Sequence, residues 1–292
     1  MAGRIIVFGS INLDIVTTVA RRPVAGETIA GENCLLLPGG KGANQALAAQ
    51  SAARKDQEVH MIGAVGRDAF APIALSNLNK SGVDLTRVVE TDAITGTAII
   101  MVDADGENII VINAGANALA SADQIKNVSF KVGDVLLTQQ ELTLEEVLVA
   151  HKRARLSGGI VVHNAAPAYP LSQSQLANID YLIVNETEVL AIADAHGFQS
   201  SDPEMAAKSL SQTLSLNTVL TLGADGAIMC FGEEIDHVSA PEVDVKDTTG
   251  AGDVFCGTFA AQIAQGTAPR QAVKLSVEAA SAACTWFGAQ QT

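Results

Sequence analysis

Basic charge is what this 292-residue sequence has least of: 18 lysines and arginines stand against 32 aspartates and glutamates, a formal charge of −14. A surface of that sign repels a phosphodiester backbone and an anionic membrane alike, so neither nucleic acid nor a membrane is expected as a partner. It leaves room for ATP, because a nucleotide site needs only local positive potential from backbone amides at a helix N-terminus. Paired cysteines are also missing. Cys34, Cys230, Cys256 and Cys284 lie far apart with no C-x-x-C, which argues against a disulfide framework or a zinc knuckle. The five histidines show neither H-E-x-x-H nor H-x-H spacing and receive no metal role. No apolar run approaches the roughly 18 residues of a membrane span, and Arg4 leads straight into Ile5 to Phe8 without a signal-peptide apolar region. A soluble, cytoplasmic protein is expected.

What is present is apolar content, 48% of the chain, enough for one large α/β core. Short apolar runs alternate with helix-length segments. Strands are expected at Ile5 to Phe8, Val59 to Ile62, Val135 to Leu137, Ile160 to Val162, Tyr181 to Val184 and Val219 to Leu222. Helices are expected from Gly42 to Ala53, Ala69 to Lys80, Leu144 to Leu156, Glu186 to Ala195, Glu204 to Leu214 and Val254 to Ala264. This alternation implies a mostly parallel sheet with helices on both faces. Two regions break it, Ile15 to Leu37 and Gly96 to Ile112, the second folded about Ala104-Asp105-Gly106-Glu107. Paired with each other, they would form a small sheet capping one end of a single core that spans residues 1–292.

Ligands of open parallel sheets bind beyond the carboxyl ends of the strands. The strongest motif there is Asp247-Thr248-Thr249-Gly250-Ala251-Gly252-Asp253, leading into a small-residue helix. Gly250 and Gly252 can leave the first helical amides free to hold a phosphoryl group, with Asp253 beside them as a base for an attacking hydroxyl. Close helix packing and a dipole-complementing carboxylate explain the same spacing. A second motif, Pro38-Gly39-Gly40-Lys41-Gly42-Ala43-Asn44, suits polyhydroxyl recognition but lacks Walker A spacing. Asn12 and Asp14 after the first strand can grip a sugar diol or close an Asx-turn. Glu141, Asn185 and Glu188 follow later strands. Carboxylates and an amide there can organise Mg²⁺, although Asn185 and Glu188 also have capping-box spacing.

Taken in this order, the segments resemble the PfkB carbohydrate kinase family over essentially the whole chain. Gly39 to Asn44 looks like the family's N-terminal signature and Asp247 to Asp253 like its C-terminal one. The resemblance implies a doubly wound core with a β-sheet lid that pairs two subunits into a homodimer. It implies ATP-dependent phosphorylation of a sugar's terminal hydroxyl. Asp253 would be the base, Gly250, Ala251 and Gly252 the anion hole, and Asn12, Asp14, Gly40, Lys41, Asn44 and Glu141 the sugar contacts. Asn185 and Glu188 would serve phosphate and Mg²⁺; Thr221, Gly223 and Gly226, with Gly252, would serve the nucleotide. A K⁺ activator would sit at Asp247, Thr249, Ala283, Gly288 and Thr292. The run Asn113-Ala114-Gly115-Ala116-Asn117 tilts the expected substrate toward a pentose, D-ribose phosphorylated at O5; deoxyribose, fructose or nucleoside phosphorylation and a silent sugar sensor are the alternatives. The sequence ends at Gly288 to Thr292, where the family continues, which leaves completeness of the K⁺ site and adenine pocket open.

Overall fold

The computed structural model describes residues 2–198 and 200–290. Among them, β1 (Ile5–Phe8) runs out along the sheet and is followed by β2 (Asn12–Thr18) and β3 (Leu35–Gly39). Helix α1 (Lys41–Ala52) then leads to β4 (Val59–Gly66), the short helices α2 (Ala71–Ala74) and α3 (Ser76–Ser81), and β5 (Asp84–Thr91). Strands β6 (Gly96–Val102) and β7 (Asn108–Asn113) form a hairpin. The second half runs through β8 (Val135–Thr138), α4 (Leu144–Leu156), β9 (Ile160–Asn164), α5 (Gln173–Leu176), β10 (Tyr181–Asn185), α6 (Glu186–Ala195), α7 (Pro203–Leu214) and β11 (Asn217–Thr221). It closes with β12 (Ala227–Phe231), β13 (Glu234–Val238), α8 (Ala251–Ala264) and α9 (Pro269–Ala283).

Nine strands form one sheet in the order β13-β12-β11-β10-β9-β8-β1-β4-β5. All neighbours from β5 to β11 are parallel; β12 and β13 are antiparallel at one edge. From β1 the chain builds outward through β4 and β5, then returns to β8 on β1's other side. That reversal leaves a crevice at the carboxyl ends of β1 and β8.

Alternation within each strand divides the core into two layers. Ile5, Val7, Met61, Leu137, Val162 and Ile183 face α1, α8 and α9. Ile6, Phe8, Ile62, Leu136, Val161 and Leu182 face α4, α6 and α7. Both faces are therefore buried, as near-continuous apolar strands require.

The second sheet has the order β3-β2-β6-β7, with β2 and β6 parallel and the outer pairs antiparallel. Strand is narrower here than the sequence suggests. Residues 19–34 form a loop, because Pro23 and Gly26, at φ 82°, interrupt the ladder and the Glu27 carboxylate accepts from the Val24 amide and the Arg21 guanidinium. The helix expected over 69–80 is also split at Leu75, with Pro72 in the first turn of α2. Ile109, Ile110, Val111 and Ile112 of β7 and Leu35, Leu36 and Leu37 of β3 are all exposed.

Helices α1 and α8 are held in close contact by a missing side chain. A Cβ at Gly257 would run into the backbone carbonyl of Gln45 and lie 2.7 Å from Ala48 Cβ and Ala49 N. Backbone atoms cannot rotate aside, so an overpacking cost of about 1–3 kcal/mol outweighs the roughly 1 kcal/mol of helix propensity that alanine gains. Gly257→Ala is expected to lower the urea midpoint of unfolding at unchanged m-value. An unchanged midpoint would show that the helices separate freely.

Candidate active site

The loops beyond β1, β8, β9, β10 and β11 and the N-termini of α1 and α8 converge on one crevice. At its centre Asp253 occupies the first turn of α8 and is 7% exposed. Asn44 Nδ2 donates to its Oδ2 and Gln45 Nε2 to its Oδ1, each at 2.9 Å. Burial pushes the Asp253 carboxyl up, against the opposing pull of Lys41 and these two amides.

Two local readings of the glycines at this helix separate cleanly. Gly250 has φ 79°, and a Cβ there would lie 2.7 Å from Ala289 Cα, so this position serves packing and the turn. A Cβ at Gly252 would meet nothing within 4 Å, and this residue, like Gly250, borders a cavity of about 140 Å³. Its bareness therefore exposes backbone to that cavity. The Ala251 amide donates to the Thr248 carbonyl at 3.2 Å, so of the expected anion hole its N–H is already engaged, and an anion at this helix start would be met by the first-turn amides that follow it.

On the β1 side, Gly40 at φ 90° caps α1; a Cβ there would lie 2.8 Å from the Asn12 nitrogen. Glu141 Oε2 accepts from Ser10 Oγ at 2.5 Å and from the Lys41 amide at 3.1 Å. Lys41 itself lines the cavity. Burial opposes its charge, but Asp253, Glu141 and Glu188 together raise its pKa, so it stays protonated. Asn12 is fixed by Asn117, whose Nδ2 donates to Asn12 Oδ1 at 2.7 Å while its Oδ1 accepts the Ile11 amide. Asp14, one pleat further along β2, titrates at about 6 because of burial and the nearby charges of Glu141 and Asp253.

Asn185 and Glu188 realise the capping box: Asn185 Oδ1 accepts the Glu188 amide and Glu188 Oε2 the Asn185 amide, both at 2.9 Å. Both also line the cavity, and burial raises the Glu188 pKa. Thr221, Gly223, Gly226 and Gly252 border an adjoining groove of about 630 Å³, floored by Phe255 and Val277. Its apolar walls suit a flat heterocycle next to the polar cavity. Asp247 Oδ1 accepts from Thr249 and Oδ2 from the Gly288 amide at 2.8 Å, while Cys284, next to Ala283, accepts the Lys246 amide. Three of the five expected K⁺ positions, Asp247, Thr249 and Gly288, are thus joined; Ala283 is the chain neighbour of Cys284, and Thr292 lies outside the described residues. Among the described residues no cluster of three or more His, Cys, Asp and Glu is arranged to hold a metal ion.

Gln45, Asn164, Ser10 and Asn117 join this constellation without having been marked as site residues by the sequence. Gln45 sits in an alanine-rich helix and Asn164 at a strand end, and only their position beside Asn44 and at a carboxyl terminus offered a signal.

The pfkB family carbohydrate kinase pattern matches residues 2–292, and the chain belongs to that family. A ribokinase of Lactococcus lactis is 34% identical over 98% of this chain and 92% of its own. A deoxyribokinase of Salmonella typhi is 33% identical over 99% of this chain and 94% of its own. The crystal structure of a ribokinase from Thermotoga maritima superposes with a TM-score of 0.90 at 34% identity, covering 98% of this chain and 94% of that one. An Arabidopsis thaliana ribokinase complexed with ribose and ATP gives 0.85 at 29% identity, covering 99% and 95%.

Asp14 provides a stability test of the ligand-free protein. Its folded pKa of about 6 lies above the ordinary value of 3.8, so the folded state holds the proton more tightly. Stability contributed by that proton is complete below pH 4 and is lost as pH rises through 6. Asp14→Asn is therefore expected to be more stable than the native chain at pH 7 by about 1–3 kcal/mol, with the difference vanishing below pH 4. Equal stabilities at both pH values, by urea titration, would show that Asp14 is not electrostatically loaded.

Proposed function

We propose that this member of the pfkB family is an ATP-dependent ribokinase that transfers the γ-phosphoryl group to O5 of D-ribose. The observation that carries the reading is the placement of Asp253: a buried carboxylate in the first turn of α8, held by Asn44 and Gln45, that lines one cavity with Lys41, Glu188, Gly250 and Gly252. Asn12, Asp14, Gly40, Lys41, Asn44 and Glu141 hold the sugar. Asp253 takes the proton of the terminal hydroxyl as its oxygen attacks in line, and the Gly250–Gly252 turn and Lys41 stabilise charge on the moving phosphoryl group. The nucleotide base occupies the apolar groove at Thr221, Gly223 and Gly226, with its phosphates toward Gly252.

Asn185 and Glu188 would hold Mg²⁺ largely through its waters, a hard-oxygen arrangement that suits this ion and supplies charge neutralisation on the phosphates. Asp247, Thr249, Ala283 and Gly288, with Thr292, would hold K⁺, which supports the anion-binding turn. Support for ribose comes from ribokinases among the relatives; the deoxyribokinase at 33% identity supports 2-deoxyribose as the second reading. The four free cysteines suit a reducing compartment such as the cytoplasm.

The exposed apolar surface of β3 and β7 supports a homodimer formed through the lid, since patches of this kind mark association sites. Sedimentation velocity is expected to give a dimer that Ile110→Asp converts to monomer. A monomeric native protein at micromolar concentration would remove this part of the reading.

Activity is tested by ADP release with ATP, Mg²⁺ and K⁺ over D-ribose, 2-deoxyribose, fructose and adenosine. Ribose is expected to give the highest kcat/KM, and Asp253→Asn to lower kcat by about 10²–10⁴-fold while retaining sugar affinity. Preference for 2-deoxyribose would select the second reading; absence of turnover on every sugar would favour a sensor.

A further inference from the structure

The amide that holds Asp253 Oδ1 is itself held from two sides. Gln45 Nε2 donates to Asp253 Oδ1 at 2.9 Å and to Asn164 Oδ1 at 3.0 Å, while Gln45 Oε1 accepts from Gln139 Nε2 at 2.7 Å. Gln45 is fully buried, Gln139 is 1% exposed and Asn164 8%. Unlike Asn164, Gln45 borders neither the 140 Å³ cavity nor the groove. It therefore reaches that cavity only through its hydrogen bonds to Asp253 and Asn164, both of which line it.

The direction of this chain of amides is set at one end by a group that cannot reverse. The Ile183 backbone carbonyl only accepts, so Asn164 turns its Nδ2 toward it, at 3.3 Å, and its oxygen toward Gln45. Gln45 must then aim its NH₂ at Asn164 and Asp253, and its oxygen at the NH₂ of Gln139. Flipping any one amide sets oxygen against oxygen. The arrangement also leaves Gln139 Oε1 buried with no hydrogen-bond partner among the described residues. An apolar side chain at 139 would avoid that desolvation cost, so packing alone does not account for the relay.

We propose that Gln45 is a positioning residue for Asp253: oriented by Asn164 and Gln139, it locks the rotation of the carboxylate so that a free lone pair faces the sugar hydroxyl. This rests on the reading of Asp253 as the base. Asn44 cannot do the same alone, because its amide is shared between Asp253, Gln290 and the expected sugar. The charged and titratable groups that face Asp253 are Lys41 on α1, Glu141 after β8, Asp14 on β2, Glu188 on α6 and Cys256 on α8 itself. Lys41 is the one cation in that set. Loss of the Gln45 N–H removes a hydrogen bond to the ionised carboxylate, which raises its pKa, and a base is active only when ionised. The acid limb of activity must then move to higher pH.

The test compares the native chain, Asp253→Asn, Gln45→Met and Gln139→Met in steady-state ADP release from pH 5 to 9, with ATP fixed and D-ribose and 2-deoxyribose varied. Gln45→Met is expected to lower kcat by about ten- to a hundredfold, to change sugar KM less than about threefold, and to shift the acid limb of kcat upward by about one pH unit. Gln139→Met, which keeps Gln45 but frees its oxygen end, is expected to move both quantities in the same direction by less; it carries the test if Gln45→Met does not fold. Native kcat and acid limb in the folded variants, or a change in KM alone, would overturn the proposal while leaving Asp253 as base if Asp253→Asn is inactive. Full activity of Asp253→Asn, or no turnover by the native chain, would overturn the base reading and this inference with it.

Discussion

The burial of one ionisable carboxylate at the N-terminus of α8 is the constraint around which the crevice is organised. An isolated carboxylate taken out of water is costly, and the surrounding groups are those that compensate: two side-chain amides, one lysine and the positive end of a helix. Three of the compensating groups, Lys41, Asn44 and Gln45, ride on α1, while the carboxylate and the helix end belong to α8. The seam between α1 and α8 must therefore be tight. Gly257, one turn beyond Asp253, makes it so by allowing the Gln45 backbone to lie against α8.

The electrostatic balance of the crevice shows what it is prepared to receive. Glu141, Glu188 and Asp253 act on the Lys41 charge, Asp14 lies near Glu141 and Asp253, and burial pushes Asp14, Glu188 and Asp253 toward the neutral form. Such a site is poorly matched to a free anion. It is well matched to hydroxyl groups, which donate to carboxylates, and to phosphate only where amides or bound cations offset the local negative charge.

Much of this was legible in the chain because local rules and tertiary use agree there. Leu144 to Leu156 and Glu186 to Ala195 carry helix periodicity and were delimited to the residue, and the glycine-bearing turns announced themselves by composition. Legibility failed where one signal masks another. Gln45 is hidden in a run of alanines, since helix propensity says nothing about which polar residue is buried. Strands β5 and β13 are the two edges of the sheet, where half-exposed sequences lose the apolar run that marks the inner strands, whereas β12 is a short buried apolar run that the strand expectations omit. The amphipathic α9 is likewise masked by its many small residues and carries no helix expectation from the sequence. Asn164 and Asn117 could not be found from spacing at all. Their partners lie 119 and 106 positions away, at Gln45 and Ile11, and only the assembled sheet brings them together.

The lid adds a mechanical asymmetry to the chemistry. Asn12 lies at the root of β2, opposite Gly39 and Gly96, and Asn117 ties it to the core. Asp14 is two residues further along the same strand, where the ladder leaves the core. Any rotation of the small sheet about its root carries Asp14 further than Asn12 and leaves Asp253, on α8, in place. The two residues proposed to grip a sugar therefore differ in how rigidly they are mounted, whereas Asp253, the proposed base, and its amides belong wholly to the packed core. A site built this way can open at the end where ligand enters without disturbing the carboxylate at the other.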